Sequence, residues 1–392
     1  MPRTAEALVK PELLRWARDE SGLTVEAAAR KAKTSPERLE SWEEGKARPT
    51  VAQLRRLAKA YRRPLAVFYL PEPPAPLPTP RDFRRPPTAL PLSPELRLAH
   101  REAVHRREIA LELLREIGEP PPRFTLSATT DDDPEQIGAR LRGELGITHG
   151  QQIHWRSTGY ARRAWGEACE NAGVLVCQAR NVKPEEMSGF SIADFPLPVV
   201  VVNIKDAEER RIFTLVHEIV HLATKQGGLC YLDHLLAGPA QRVEAFCNRV
   251  AGAALVPLED LCTEKVVRQG AGSSGWSDDD IKALARRFRV SREVVLLRMV
   301  AGGLASREFY EQKREQIRRE YRRRESKRTT GGPAPPSLAI AKAGRLFAGL
   351  VLRAYHLERI TASDVADHLE VRVKHISDVE NALFGPARIS PT

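Results

Sequence analysis

The residues best suited to chemistry lie in one apolar stretch, Phe213–Thr224, which reads FTLVHEIVHLAT. His217 and His221 are four residues apart, so on a helix both imidazoles project from one face and can bind the same metal ion. Glu218 lies about 100° further round the helix, where its carboxylate can act on a water molecule without binding the metal. This HExxH spacing is typical of zinc hydrolases. It predicts a zinc centre with Glu218 as the catalytic base.

The competing interpretation is a core helix whose two histidines simply make hydrogen bonds. HExxH also arises by chance, so the match alone is a hypothesis. The apolar flanks, Ile212–Ala223, favour the metal, because an accidental match on a solvated helix would have polar neighbours. Buried imidazoles and carboxylates are costly unless something satisfies them, and a metal ion would do so.

A third metal ligand is expected on the next helix, which Pro239 opens and Pro257 ends. Glu244 lies beside the buried stripe of that helix, and with His217 and His221 it completes a three-ligand set that leaves one position for water. A structural zinc site usually has four protein ligands, so a purely structural role is disfavoured. The intervening loop contains two competing ligands, Asp233 and His234. The competing interpretation of Glu244 is a surface glutamate on an ordinary helix.

The segment before this helix has the pattern of an α+β domain. Val174–Gln178 and Val199–Asn203 are β-branched runs suited to strands, and Gly189–Ile192 begins another. We expect the strand at Val199–Asn203 to pair with an extended peptide substrate and to hold it over the metal.

Composition indicates a globular protein with a polyanionic partner. The chain has 392 residues, a net charge of +11 and 42% hydrophobic residues. A basic balance of this size is typical of nucleic-acid binding, although a general preference for arginine would also produce it. The sequence has no apolar run long enough to span a bilayer and no signal peptide, so a cytoplasmic protein, nucleoid-associated when bound to DNA, is expected. The five cysteines lack CxxC spacing and are expected to be reduced packing residues; a ligand role for Cys230 or Cys247 stays open.

Residues 1–70 are predicted to form a helix-turn-helix bundle. Thr24 can cap a second helix, and Ser35-Pro36 is a strong start signal for a third, with the small residue Ala28 where the two cross. In such a module the third helix enters the major groove of double-stranded DNA. The predicted base contacts are Glu37, Arg38 and Ser41, and the predicted phosphate contacts are Lys33, Lys46 and Arg48. Four glutamates on this helix oppose phosphate binding, so a protein-binding or dimerisation role is the alternative.

The rest of the chain is predicted to be helical apart from two linkers. Arg307–Arg328 is rich in charge and is interpreted as an amphipathic support helix, with a nucleic-acid patch as the alternative. Two further helix-turn-helix patterns are predicted, one in 276–328 and one at Ile360–Leu383. The expected divisions are 1–70, a Pro-rich linker 71–94, a helical connector 95–133, a metallopeptidase-like domain 134–265, a segment 276–328, a linker 329–337 and a helical domain 338–392.

Two resemblances follow from these motifs. The N-terminal segment resembles XRE-type, lambda-repressor-like domains, in particular through its Trp42-Glu43-x-Gly45 string. The later segment resembles the ImmA/IrrE family of metallo-endopeptidases. The strings that carry this second resemblance are Gly173-Val-Leu-Val176, Gly189-Phe190-Ser191, His217-Glu218-x-x-His221, Glu244-x-x-x-Asn248 and Ala254-Leu255-Val-Pro257.

The resemblance implies a fold and a function. The implied fold class is multidomain and mainly α, with an α+β zincin-like core, an N-terminal helix-turn-helix bundle and a helical C-terminal region. The implied activity is a zinc-dependent endopeptidase with one Zn²⁺ per chain, which cleaves a helix-turn-helix repressor or partner protein and so regulates stress or mobile-element genes. An adjacent-gene toxin as partner and a homodimer are compatible with it. The alternative is an antitoxin-like, DNA-binding regulator whose peptidase site is conditional or inactive.

Overall fold

A computed structural model describes residues 5–74, 92–225, 229–230, 239–270, 275–325 and 335–385 of the chain. These residues divide into two compact units, and the division falls between Glu102 and Ala103. Among the described helices, none is long and apolar enough to cross a membrane.

The first unit is a bundle of short helices, and it contains the predicted helix-turn-helix. Its elements are α1 (Pro11–Glu20), α2 (Val25–Ala32), α3 (Pro36–Glu43), α4 (Val51–Tyr61), a 3₁₀ helix (Leu65–Tyr69) and the start of α5 (Pro94–Glu116). The hydroxyls of Thr24 and Ser35 cap α2 and α3, each accepting a hydrogen bond from a backbone N–H of the first turn. Between them, Lys33 adopts a left-handed backbone conformation that ends α2 and turns the chain into α3.

The second unit contains the only sheet within the described residues, and it is small. Its strands are β1 (Leu175–Ala179), β2 (Gly189–Ile192), β3 (Val199–Asn203) and β4 (Leu229–Cys230), in the order β1-β3-β2-β4. β3 is parallel to β1 and antiparallel to β2. The prediction that a substrate pairs with β3 is wrong, because both edges of this strand are occupied by neighbouring strands. All five β3 residues are buried, as in a central strand with both faces covered.

Helices precede and follow the strands along the chain, and two of these helices carry the candidate site. They are the end of α5, α6 (Pro134–Glu144), α7 (His149–Ile153), α8 (Thr158–Asn171), α9 (Glu208–Ala223), α10 (Pro239–Leu255), α11 (Leu258–Thr263) and α12 (Lys265–Gly270). α9 packs on β2 and β3, and α10 lies against both α9 and α6. From Arg211 to Ala223 every residue of α9 except Phe213 is buried, so this helix runs through the core of the unit.

Three buried side chains hold the C-terminal end of α10 in place. The carbonyls of Ala254, Leu255 and Val256 accept hydrogen bonds at 2.7–2.9 Å; the donors are Arg142, Gln152 and Arg298, from three other helices. Arg142 and Arg298 bring positive charge to the end of the helix at which the helix dipole is negative. This arrangement fixes the axial position of the helix that carries Glu244.

A hairpin of helices and one charged helix follow. These are α13 (Asp278–Phe288), α14 (Arg292–Ala301) and α15 (Arg307–Glu325). The inward charges of α15 are used in ion pairs with the hairpin: Lys313 contacts Asp278, and Arg314 contacts Glu293 at 2.9 Å. For the described side chains of α15, these contacts favour the support helix over the nucleic-acid patch.

Four helices end the described chain, and the first two of them pack on β1, an edge strand of the sheet. They are α16 (Pro335–Ala343), α17 (Arg345–His356), α18 (Ala362–His368) and α19 (Ile376–Phe384), with a 3₁₀ turn at Val373–His375. α16 contacts β1, and the buried Glu170 of α8 accepts a 3.0 Å hydrogen bond from the Leu346 N–H at the start of α17. Burial raises the pKa of Glu170 to about 8, although that N–H acts against the shift. The predicted fold class, multidomain and mainly helical with a small α+β core, is confirmed.

The contact between α6 and α10 yields a prediction on stability. A Cβ on Gly138 would lie 2.7 Å from the Ala253 Cβ and 2.9 Å from the Ala254 nitrogen, so Gly138→Ala forces α10 away from α6. We expect it to lower the free energy of unfolding by about 1–3 kcal/mol, the usual cost of overpacking. A calorimetric scan of the full chain measures this as a lower transition temperature.

The matched control is Gly143→Ala in the same helix, where an added Cβ meets nothing within 4 Å. Alanine is the better helix former by roughly 1 kcal/mol, so this variant is expected to be as stable as the parent or slightly more so. Equal transition temperatures for the two variants would contradict the close packing.

Candidate functional site

The two histidines lie side by side in the buried part of α9. Their side chains are 0% and 2% exposed, and the Nε2 atoms of His217 and His221 are 3.0 Å apart. The four-residue spacing places them one helical turn apart on the same face. The helix therefore directs two nitrogen donors to one point in the protein interior.

Glu244 reaches the same point from α10. Its Oε1 lies 2.9 Å from His221 Nε2, and its Oε2 lies 3.4 Å from His217 Nε2. Burial acts to raise the pKa of the Glu244 carboxyl, but the hydrogen bonds from the two histidines outweigh it and hold the pKa well below its usual range. The carboxylate is thus ionised beside two imidazoles.

These three side chains form a cluster in which each ligand atom lies within 4.8 Å of the others. A tetrahedral zinc site with bonds of about 2.0–2.1 Å would place its donor atoms roughly 3.3 Å apart. The observed separations of 2.9, 3.0 and 3.4 Å lie close to that value. The donor set of two histidines and one carboxylate, buried and already converged, fits a metal ion with an open coordination position.

The alternative ligands named from the sequence are not part of this cluster within the described residues. Asp233 and His234 lie outside the described residues, as does the side chain of Cys230. Cys247 is fully buried on α10 but does not join the three ligands.

Glu218 has a partner that sequence reasoning did not assign. The carboxylate is fully buried, and its Oε2 accepts a 2.7 Å hydrogen bond from the hydroxyl of Ser191 on β2. Ser191 is itself 3% exposed. In the sequence, Gly189-Phe190-Ser191 is part of the family resemblance and carries no signal of its own for this contact.

Gly189 explains how β2 comes close enough for this contact. A Cβ at this position would lie 2.4 Å from the Thr214 side chain of α9 and 2.9 Å from the Val201 carbonyl. Only glycine lets the strand approach the helix so closely. The outer edge of β2 pairs with β4 at Gly189 and Phe190, and in the described part of the chain nothing pairs with this edge at Ser191 or Ile192.

The predicted DNA contacts occupy the surface of the first unit. Five of the six side chains are exposed and Ser41 is half-buried. Arg38 stacks its guanidinium 5.7 Å from the Trp42 ring. The carboxylate of Glu37 interacts with its own backbone N–H and with the Ser35 hydroxyl, and both contacts lower its pKa.

Two of the glutamates in and just after α3 have cationic partners, which reduces their repulsion of DNA phosphates. Glu43 is buried and accepts hydrogen bonds from Arg18 at 2.9–3.1 Å, so its charge is neutralised inside the bundle. Glu44 forms a 2.6 Å ion pair with Lys46. The latter pair also reduces the charge that Lys46 offers to a phosphate.

A converged His-His-Glu set beside a buried carboxylate is characteristic of metallopeptidase-like proteins, and comparison with known families agrees. Residues 169–300 match the peptidase family model described as the IrrE N-terminal-like domain, and residues 14–68 match a helix-turn-helix model. No curated protein matches the chain. The chain therefore carries a helix-turn-helix DNA-binding domain followed by an IrrE-like peptidase domain, and the predicted resemblance is confirmed in that order.

The donor set predicts how zinc affinity depends on Glu244. Glu244→Ala removes one of three converging ligands, so we expect zinc affinity to fall by more than about a hundredfold, beyond the 10–100-fold typical of losing an outer-shell partner. Competition with a chromophoric chelator measures it.

Asn248→Ala, one turn further along α10, is the matched control and is expected to bind zinc like the parent. Equal affinities for Glu244→Ala and the parent protein would exclude Glu244 as a ligand.

Proposed function

We propose that this protein is a zinc-dependent endopeptidase that acts in gene regulation. It cleaves a helix-turn-helix repressor or partner protein, and its own N-terminal unit binds double-stranded DNA. The observation that carries the proposal is the buried convergence of the His217, His221 and Glu244 donor atoms beside the Glu218 carboxylate. The matches to a peptidase family and to a helix-turn-helix family support the two halves of the proposal.

In this proposal His217, His221 and Glu244 hold one zinc ion. Zinc, when bound, supplies Lewis acidity, which makes water easier to deprotonate and a peptide carbonyl easier to attack. Glu218 takes the proton from the attacking water as general base and later delivers it to the leaving amine. Because α9 and α10 are both buried, the reacting groups are held in place before the substrate arrives.

The substrate is expected to bind along β2. An extended peptide can extend the sheet from the outer edge of Ser191 and Ile192, where backbone hydrogen bonds hold a chain of any sequence. This strand borders the catalytic helix, since Ser191 contacts Glu218. A strand-like substrate requires a locally unfolded or flexible segment, as found in interdomain linkers of repressors.

DNA binding by the helix-turn-helix domain would bring the peptidase close to DNA-bound repressors. Cleavage of a repressor would release stress-response or mobile-element genes, and an adjacent-gene toxin is a further candidate partner. A homodimer reading a symmetric operator fits this domain type. The alternative, a regulator with an inactive peptidase, is disfavoured because the ligand set and the Ser191–Glu218 contact are all intact.

The central mechanistic test is Glu218→Gln. Glutamine fills the same space but cannot accept the proton, so cleavage should fall by roughly 10²–10⁴-fold while zinc content stays the same. Each helix-turn-helix protein and toxin encoded next to the gene is co-expressed with parent or variant, and fragments are detected by mass spectrometry. Identical fragments in the same yield from both proteins would remove Glu218 from the mechanism.

Ser191 yields a second test of how the base is positioned. Ser191→Ala removes the hydroxyl from Glu218 Oε2, so we expect kcat to fall by about tenfold with little change in KM, and the acidic limb of the pH–rate profile to move up. The reason is that the lost hydrogen bond favoured the ionised carboxylate.

Ser191→Thr keeps the hydroxyl and should recover most of the rate and the parent pH profile. A uniform loss in both variants, with an unchanged pH profile, would show that Ser191 only fills space.

A further inference from the structure

The C-terminal helices contain a turn that repeats the geometry of the N-terminal helix-turn-helix. Thr24 caps α2 and the left-handed residue Lys33 follows nine residues later; Thr361 caps α18 and the left-handed Glu370 follows nine residues later. After each of these residues, the next N–H bonds back to the first helix, Thr34 to the Ala29 carbonyl at 3.0 Å and Val371 to Ala366 at 2.9 Å. The two turns close in the same way.

The apolar positions also correspond. Counted from the left-handed residue, the buried positions Leu39 and Trp42 of α3 match the buried Ile376 and Val379 of α19. In each unit a preceding helix packs on this arrangement: α1 contacts α3, and α17 contacts both α18 and α19. The C-terminal unit therefore has the three-helix core of a helix-turn-helix domain.

This turn alone does not make a DNA-reading surface, as the middle of the chain shows. The α13–α14 hairpin turns at the left-handed Arg289, and the N–H of Val290 bonds to the Ala285 carbonyl at 3.0 Å. Half of its second helix is buried, however, and Arg298 of that helix donates to the Val256 carbonyl inside the peptidase unit. The face that would meet DNA is used for packing.

The second helix of the C-terminal unit keeps that face exposed. An exposed polar stripe runs along it at helical spacing, and the side chains at its start are basic. The exposed polar residues are Arg372 and Lys374, just before α19, and Ser377, Asp378 and Asn381 on it; the apolar Val373 and Phe384 are exposed as well. Lysine, serine, aspartate and asparagine are all side chains that contact phosphates or base edges.

Two basic side chains, Arg372 and Lys374, lie at the start of this face. Glu370 pairs with Lys342, whereas the partners of Asp378 and Glu380 are histidines, His375 at 3.0 Å and His356 at 2.7 Å, which offset a carboxylate only when protonated. Among the described residues no carboxylate pairs with Arg372 or Lys374. The positive charge at the start of the helix is thus left for a partner.

From the shared turn, the exposed second helix and its uncompensated basic end, we infer that residues 345–385 form a second surface that binds double-stranded DNA. α19 enters the groove by its N-terminal end, with Arg372 and Lys374 on phosphates. The chain then reads DNA with two helix-turn-helix units, one at each end of its sequence. Two units of modest charge give an affinity that neither would reach alone, provided that both engage.

Salt dependence of binding tests this directly. The full chain is titrated onto a fluorescein-labelled, mixed-sequence duplex between about 50 and 200 mM salt. Three variants are compared with the parent: Arg372→Ala with Lys374→Ala, Lys33→Ala with Arg38→Ala, and Lys265→Ala with Arg268→Ala. The last pair is the matched control, since it removes the same charge from exposed positions of α12.

The C-terminal variant is expected to make the slope of log K against log salt shallower by about 0.9 per lost phosphate contact, and to weaken binding on the order of tenfold per contact at 50 mM salt. A slope equal to that of the control pair would overturn the proposal. Loss confined to the Lys33/Arg38 variant would also overturn it while leaving the N-terminal unit as the DNA reader. Loss of DNA affinity in the C-terminal variant alone would support the C-terminal surface and would exclude the N-terminal unit as a DNA reader.

A second measurement does not require a variant with reduced affinity for DNA. The photo-crosslinking residue p-benzoylphenylalanine is placed at Ser377, on the proposed face, or at the exposed Gln269 of α12. Crosslinking of the duplex from position 377 but not from 269 would support the proposal. Equal yields from both positions, or none from 377, would contradict it.

Discussion

The structure depends on the burial of four polar groups at one point between α9 and α10. His217, His221, Glu218 and Glu244 are all at most 8% exposed, in a unit whose interior is otherwise largely apolar. Their desolvation is costly unless each is satisfied, and the surrounding elements are arranged to satisfy them. Glu244 lies against both imidazoles, and Ser191 donates to Glu218. A divalent cation at this point would balance the charge that the protein has gathered there.

Positioning this cluster explains several features that have no chemistry of their own. Hydrogen bonds from Arg142, Gln152 and Arg298 fix the axial position of α10, which places Glu244 beside the two histidines. Gly138 allows α6 to support α10, and Gly189 allows β2 to bring Ser191 down onto α9. The site is precise because rigid elements, rather than loops, carry each of its groups.

Sequence reasoning reached the helical part of the site because a helix has a short, regular period. The spacing of His217 and His221 implies their shared face, and Glu244 could be placed on the buried edge of its helix. Ser191 was missed because its contact with Glu218 depends on which strand lies over α9, and strand order is not local information. The error over β3 had a readable signal: Val199–Val202 is uniformly apolar, which is typical of a central strand rather than a substrate-pairing edge. Charge counts alone do not describe these surfaces, because Glu43 and the α15 residues Lys313 and Arg314 have partners distant in sequence.

The proposed site holds a zinc ion with two histidines and one glutamate, and X-ray absorption at the zinc edge of the zinc-loaded full chain tests this proposal most directly. It should show nitrogen and oxygen donors only, at about 2.0–2.1 Å, in a four-coordinate site with two imidazole signatures. His221→Ala should leave a single imidazole signature. A sulfur shell at about 2.3 Å, or a spectrum unchanged by His221→Ala, would contradict the assignment and place the metal elsewhere in the chain.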